Sequence, residues 1–267
     1  VALLLLKLFL TPVIVGGASL ASRRWGPAIG GWIVSLPLTS GPVLFYLALD
    51  PGPVFAREAA TGTLLGLGAI AGFALGYLVG SRWSPRTALA LAATGFVTTG
   101  LAIQPVSGAP FPLLVAGVGM AIAAVLSLLP PAPAAEGERS HPAWDLPVRI
   151  TVGTVFVVTL TTVAPLVGPI ASGLVATFPV YAAVLAVFEH RRTGRLAALG
   201  TLRGLLTGLP GTVAFYVVLT ALLPAGVAMA FAVALAATLV MGAASLRVVR
   251  ARSGLVERGT AVEPKVA

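Results

Sequence analysis

"GTLLGL", from Gly62 to Leu67, and "GTLRGL", from Gly200 to Leu205, spell nearly the same six letters twice in one chain of 267 residues. Gly and Leu are common here, so the surroundings decide whether the match means anything. An offset of 142 carries Gly26, Pro27, Gly31 and Pro37 onto Gly168, Pro169, Gly173 and Pro179, and Lys7 onto Arg149. The two hexapeptides lie 138 apart, a difference this reading assigns to a four-residue indel between "LALDPGPVFARE" and "AVFEHRRTGR". The chain reads as two copies of one unit.

Composition says where such a chain lives. Hydrophobic residues make up 58% of it and charged residues only 9%, against roughly 25% charged in a soluble domain. That much apolar surface does not fit inside one aqueous core, and apolar runs of about 20 residues, the length a membrane-crossing helix needs, recur throughout. The expected fold is all-α, a polytopic transmembrane helical bundle. Nine spans are read, at about 2–22, 27–49, 56–80, 86–104, 109–129, 148–166, 169–188, 195–223 and 225–247. The first run, with "ASLA" near its end, is read as a retained span because Arg23 and Arg24 follow it, the reverse of a signal peptide. Residues 1–105 then form a first four-span unit, 106–147 a connecting span and polar loop, 148–248 a second four-span unit, and 249–267 a basic tail.

A formal charge of +9 suggests nucleic acid in a soluble protein, but here the basic residues fall in short loops and orient the spans. Arg23, Arg24, Arg82, Arg86, Arg139, Arg149, Arg191, Arg192 and Arg195 share one side with the basic tail, and the other side holds only Arg57, beside Asp50 and Glu58. The positive-inside rule places the N-terminus outside and the C-terminus in the cytoplasm, as expected of a bacterial inner-membrane protein. Five spans separate equivalent helices, an odd number, so the second unit lies upside down relative to the first: an inverted 4+1+4 repeat. Many secondary transporters are built this way, with the binding site at the midplane where interrupted helices meet.

Two spans carry such interruptions. "SLPLTSGP" sets Pro37 among Ser35, Thr39 and Ser40, and "ATFPVY" sets Pro179 between Thr177 and Tyr181. Proline frees carbonyls of the preceding turn, and freed groups within a bilayer need protein or a water-filled cavity around them. These residues are the candidate substrate pathway, an ordinary proline kink being the alternative reading of each. Glycines at four-residue spacing, among them Gly62, Gly66, Gly72 and Gly76 in the third span and Gly200, Gly204 and Gly208 in the eighth, form ridges for close helix packing and a route to oligomers.

Arg203 breaks the second hexapeptide, roughly 12 Å into its span when counted from Arg195 at about 1.5 Å per residue. A guanidinium there must snorkel to the surface, pair, or face a cavity. Facing inward, it would take Glu189 or an anionic ligand or head group as partner, which adds Arg203 to the candidate pathway. Lys7 and Arg149 start matching spans as interfacial anchors, with Trp25, Trp83 and Trp144 as the aromatic belt.

Catalysis is not expected. Both histidines, His141 and His190, are read in polar connections, and eight acids scattered over loops and tail build no metal or phosphoryl-transfer site. With no cysteine there is no thiol chemistry, and no cofactor or metal is expected.

The stretch "VGPIASGLVATFPVYAAVLAVFEHRRTGRLAALGTLRGLL", Val167 to Leu206, resembles the GlpM family of small four-span bacterial inner-membrane proteins. The matching positions are Lys7 and Arg149, Gly31 and Gly173, and Pro37 and Pro179; Phe178 departs from its counterpart Leu36. The resemblance covers about 110 residues and, more faintly, the first half, which implies two such units fused head to tail through a linker span. It also implies an association with envelope polysaccharide production and carries over no catalytic residue. The function expected from the sequence is a transporter-like permease with an anionic substrate as the natural candidate, or else an accessory membrane subunit for envelope assembly.

Overall fold

The computed structural model of the protein describes residues 5, 8–13, 16–17, 20, 36–37, 40–130 and 145–260. Among them there are helices and no strand. Most of the first span and the first half of the second, with Lys7, Trp25, Ser35 and Thr39, lie outside the described residues, as do His141 and Trp144.

The chain enters on α1 (Ser40–Leu49), a short apolar helix, and turns through Gly52 into α2 (Pro53–Gly80). Then follow α3 (Pro85–Ile103), a 3₁₀ turn (Gln104–Gly108), α4 (Phe111–Leu128), α5 (Asp145–Val167), α6 (Pro169–Ala176), α7 (Val180–Arg192), α8 (Arg195–Leu222), a second 3₁₀ turn and α9 (Val227–Thr260). Seven segments are long and apolar enough to cross a membrane, with α6 and α7 together forming one of them. A multi-pass helical membrane bundle is therefore the class of protein. The helix α9 continues unbroken past residue 248, so the expected boundary of a separate tail is not a break in the backbone.

Local chemistry sets the helix starts. Prolines occupy the first turn of α2, α3, α4 and α6, where the missing N–H costs nothing because no carbonyl precedes it. Ser84 caps α3 by accepting from the amide of Thr87 at 3.0 Å. Gly52 and Gly194 stand immediately before α2 and α8 with φ of 129° and 103°, a region that disfavours any residue with a Cβ.

Helix α2 is the centre of the bundle: 72% of its apolar window is enclosed, against 17–50% for the other six spans. It is rich in glycine because it has close neighbours on two sides. A Cβ at Gly62 would strike the backbone of Ile170 in α6, and one at Gly66 would strike Thr177. From the other side, Gly173 of α6 sits on the backbone of Ala59 and Thr63. Further along, Gly72 and Gly76 abut Gly95, Leu91 and Ala92 of α3, while Gly80 meets Ala88. Small residues are what let helices approach in lipid, where burial of apolar side chains alone gives no drive to associate. In α8, no described atom lies within 4 Å of a Cβ built at Gly204, so that glycine has no close neighbour among the described residues.

Helices α2 and α8 are both 28 residues long and run antiparallel. At one end Arg195 donates from Nε to Ser81 Oγ at 2.8 Å. In the middle Leu67 and Ile70 share a cavity with Leu205, Leu209 and Thr212. At the far end Arg57 and Thr61 share a cleft with Val217 and Thr220.

The start of α8 lies 142 positions after the start of α2, and the start of α9 lies 142 after that of α3. The turn into α2 closes with Gly52 N–H on Leu47 O and the turn into α8 with Gly194 N–H on Glu189 O, again 142 apart. The backbone needs no four-residue indel. In this register "GTLLGL" aligns with "GLLTGL" (204–209), and Arg203 stands opposite Thr61 instead of Leu65.

Candidate functional site

Among the described residues, the two interruptions come together. Helix α6 ends at Ala176, and the chain turns through Thr177, Phe178 and Pro179 before α7 begins at Val180. Pro179, at φ −81° and ψ 61°, makes an inverse γ-turn in which Val180 N–H donates to Phe178 O at 2.8 Å. Groups freed by the break find local partners: Thr177 donates its hydroxyl to Leu174 O at 2.6 Å, and Phe178 donates its amide to Val175 O at 2.9 Å. Phe178 also wedges the break in place, edge-on to Phe73 of α2 and Phe96 of α3 at 5.9 and 5.2 Å between centroids.

The two prolines begin their helices alike. Gly41 N–H donates to Pro37 O at 2.8 Å, and Ala183 N–H donates to Pro179 O at 2.8 Å. From there α1 leads to the start of α2 while α7 leads to the start of α8, beside the end of α2, so the two half-helices leave in opposite directions. Between their N-termini lies a cavity of about 60 Å³, room for a few water molecules.

Its lining falls into pairs. Leu36 with Phe178, Pro37 with Pro179, Ser40 with Ala182, Leu67 with Leu209, and Ile70 with Thr212 all line it, and each pair is 142 positions apart. Leu67 and Leu209 lie at the midpoints of α2 and α8. The cavity is thus halfway along the two central helices, where the bilayer midplane would fall. Among the described residues its side chains carry no formal charge, and the polar ones are the hydroxyls of Ser40, Thr177, Tyr181 and Thr212. Of the first-turn amides, those of Gly41, Val180 and Ala183 already donate to local carbonyls and Pro42 has none; those of Tyr181 and Ala182 at the start of α7 have no carbonyl within the helix, and the helix dipole makes that end positive.

Of the residues proposed from sequence, Pro37, Ser40, Thr177, Pro179 and Tyr181 line this cavity, while Ser35 and Thr39 lie outside the described residues. Arg203 does not line it. Its guanidinium donates to Leu126 O at 3.1 Å and Leu129 O at 2.6 Å, the last carbonyls of α4, which have no amide ahead of them. Among the described residues the basic side chain within the span makes no ion pair with Glu189; it caps the connecting helix.

Two participants escape a sequence reading. Tyr216 is fully buried in α8 and donates to Ser40 Oγ, joining the second central helix to the start of α1. Its signal was a phenol in mid-span, because a buried hydroxyl in an apolar run needs a partner. His190 is in α7, not in a polar connection, and its Nδ1 lies 3.2 Å from the hydroxyl of Tyr77. With Arg195 and Ser81 it ties α7 and α8 to the end of α2. Among the described residues no three His, Asp or Glu side chains gather as a metal site would require.

What fold and site define is a multi-pass helical membrane protein in which the starts of two half-helices, α1 and α7, flank a small cavity halfway along its central helices. The chain matches no protein-family model, no curated protein and no solved structure.

Proposed function

We propose that the protein is a transporter-like permease of the bacterial cytoplasmic membrane, built as a nine-span inverted 4+1+4 repeat with its substrate path through the midplane cavity. The observation that carries this reading is the composition of the cavity wall, in which five pairs of residues 142 positions apart face one space. Antiparallel packing of α2 and α8, equal in length and 142 apart, supports a pseudo-two-fold axis between Leu67 and Leu209. In carriers of this architecture, discontinuous helices meet at such an axis and present half-helix N-termini to the substrate. Loop charges put the N-terminus outside and the C-terminus in the cytoplasm. The units are GlpM-like four-span modules, and no covalent chemistry is assigned to them.

The substrate class follows from the cavity, not from Arg203. Hydroxyls and the positive end of α7 suit a small anion or a polar group bearing partial negative charge, held without a counter-ion. The test is uptake into vesicles of purified protein across a panel of small anions and neutral solutes. Ser40→Ala and Tyr216→Phe should each lower transport of the accepted solute several-fold while the folded yield holds. Tag accessibility placing both chain ends in one compartment would remove the inverted repeat, and failure of every solute to enter above empty vesicles would remove transport.

A second reading, an accessory subunit that docks partner helices, keeps one observation in its favour. Gly117, Gly119 and Gly204 lie open among the described residues, as small residues awaiting a neighbouring helix would.

A further inference from the structure

A second cleft, of about 540 Å³ and so larger than the midplane cavity, lies at the end of the bundle where α2 begins and α8 finishes. That volume is in the range of ligand sites, about 300–1,000 Å³. One wall is polar: Arg57, Glu58 and Thr61 from the first turns of α2, Ser107 from the 3₁₀ turn, and Thr220 from α8. The other is apolar, with Phe111 and Leu114 from α4 and Val217 from α8.

Its level in the membrane can be worked out. A 28-residue helix is about 42 Å long, against a hydrocarbon core of about 30 Å. With Leu67 and Leu209 at the midplane, the opening turns of α2 fall in the head-group layer. Arg57 and Glu58 are exposed there, neighbouring charges of opposite sign that make no ion pair among the described residues.

The opposite end of the bundle sharpens the contrast. There Arg203, which stands 142 positions after Thr61, reaches from α8 to the C-terminal carbonyls of α4. Here Thr61 is too short to bridge, and the helix end presented by α4 is its N-terminus, which attracts negative charge.

We propose that this cleft binds the head group of a zwitterionic phospholipid. The phosphate faces Arg57, Thr61 and the start of α4, the ammonium faces Glu58, and an acyl chain lies along Phe111, Leu114 and Val217. A phosphate ester alone would leave Glu58 repelling it; the adjacent ammonium makes both charges useful. This site is separate from the midplane cavity and stands whether or not the chain moves a substrate.

The test is native mass spectrometry of the full chain, delipidated in detergent and titrated with phosphatidylethanolamine, phosphatidylglycerol or soluble glycerophosphoethanolamine. Phosphatidylethanolamine should bind tightest. Arg57→Gln should weaken it about tenfold, one charge-assisted contact; Glu58→Gln should weaken it while sparing phosphatidylglycerol. Arg203→Leu should leave it unchanged. Both charged residues are exposed, so their variants should fold, and monodispersity by gel filtration checks this. Equal binding of the two lipids by wild type, or wild-type affinity in Arg57→Gln and Glu58→Gln, overturns the assignment. Glycerophosphoethanolamine binding as tightly as the lipid overturns the lipid as occupant in favour of a soluble phosphate ester.

Discussion

Replacing Arg203 by leucine separates a structural role from a functional one. The guanidinium makes two hydrogen bonds to carbonyls at the end of α4, at 2.6 and 3.1 Å. Bonds from a charged donor contribute about 1.5–3 kcal/mol each, and the longer one belongs at the low end. The site is half-buried, so water or detergent can take over part of what is lost, leaving a net cost of about 2–3 kcal/mol. At about 2–4 °C per kcal/mol for a chain of this size, Arg203→Leu should lower the unfolding midpoint by about 5–10 °C. Arg203→Lys keeps one donor and should lose about half of that. Thermal unfolding in detergent, followed by tryptophan fluorescence, reads the midpoint, and vesicle uptake per folded molecule reads function. The cap predicts loss of stability with transport per molecule retained. An unchanged midpoint together with abolished transport would refute it and return Arg203 to the substrate path.

Glycine substitutions should divide by what stands opposite. Gly173→Ala, set against the backbone of Ala59 and Thr63, should destabilise by about 1–3 kcal/mol, as overpacking does, whereas Gly204→Ala should be neutral or stabilising by up to about 1 kcal/mol through helix propensity; midpoints of the two variants check both. Tyr216→Phe removes the hydroxyl that donates to Ser40 and should cost about 1 kcal/mol, with Ser40→Ala adding little more in the double variant, a coupling that a double-mutant cycle measures. Tyr77→Phe and Arg195→Gln should each loosen the contact of α7 and α8 with the end of α2, seen as faster amide exchange at the start of α8 than in Gly204→Ala.

Seven segments across residues 53–244 are long and apolar enough to cross a membrane, and all seven were legible because continuous hydrophobicity of fixed length is a requirement of the bilayer itself. The breaks at Pro37 and Pro179 were legible for a similar reason, proline being the residue whose backbone chemistry cannot be overridden. Register was harder. In an alphabet dominated by Gly, Leu and Ala, five matching letters out of six at an offset of 138 outshone the spacing of the helix starts, which is fixed by a backbone conformation at Gly52 and Gly194 rather than by any string. That slip gave Arg203 the wrong counterpart. Its partners are main-chain oxygens 77 and 74 positions away, and no side-chain pattern advertises a carbonyl. The glycine ridges showed that helices approach closely, but not which ones: Gly62 and Gly76 lie on one helix and serve different neighbours.

The midplane cavity has a consequence for how the protein would respond to mutagenesis. Much of the polarity it offers belongs to the peptide backbone at the start of α7, which every residue except proline supplies equally. Systematic alanine replacement would therefore record a quiet site and invite the conclusion that nothing binds there. Exchanging single peptide amides for esters at Tyr181 and Ala182 is the perturbation that would make this region speak.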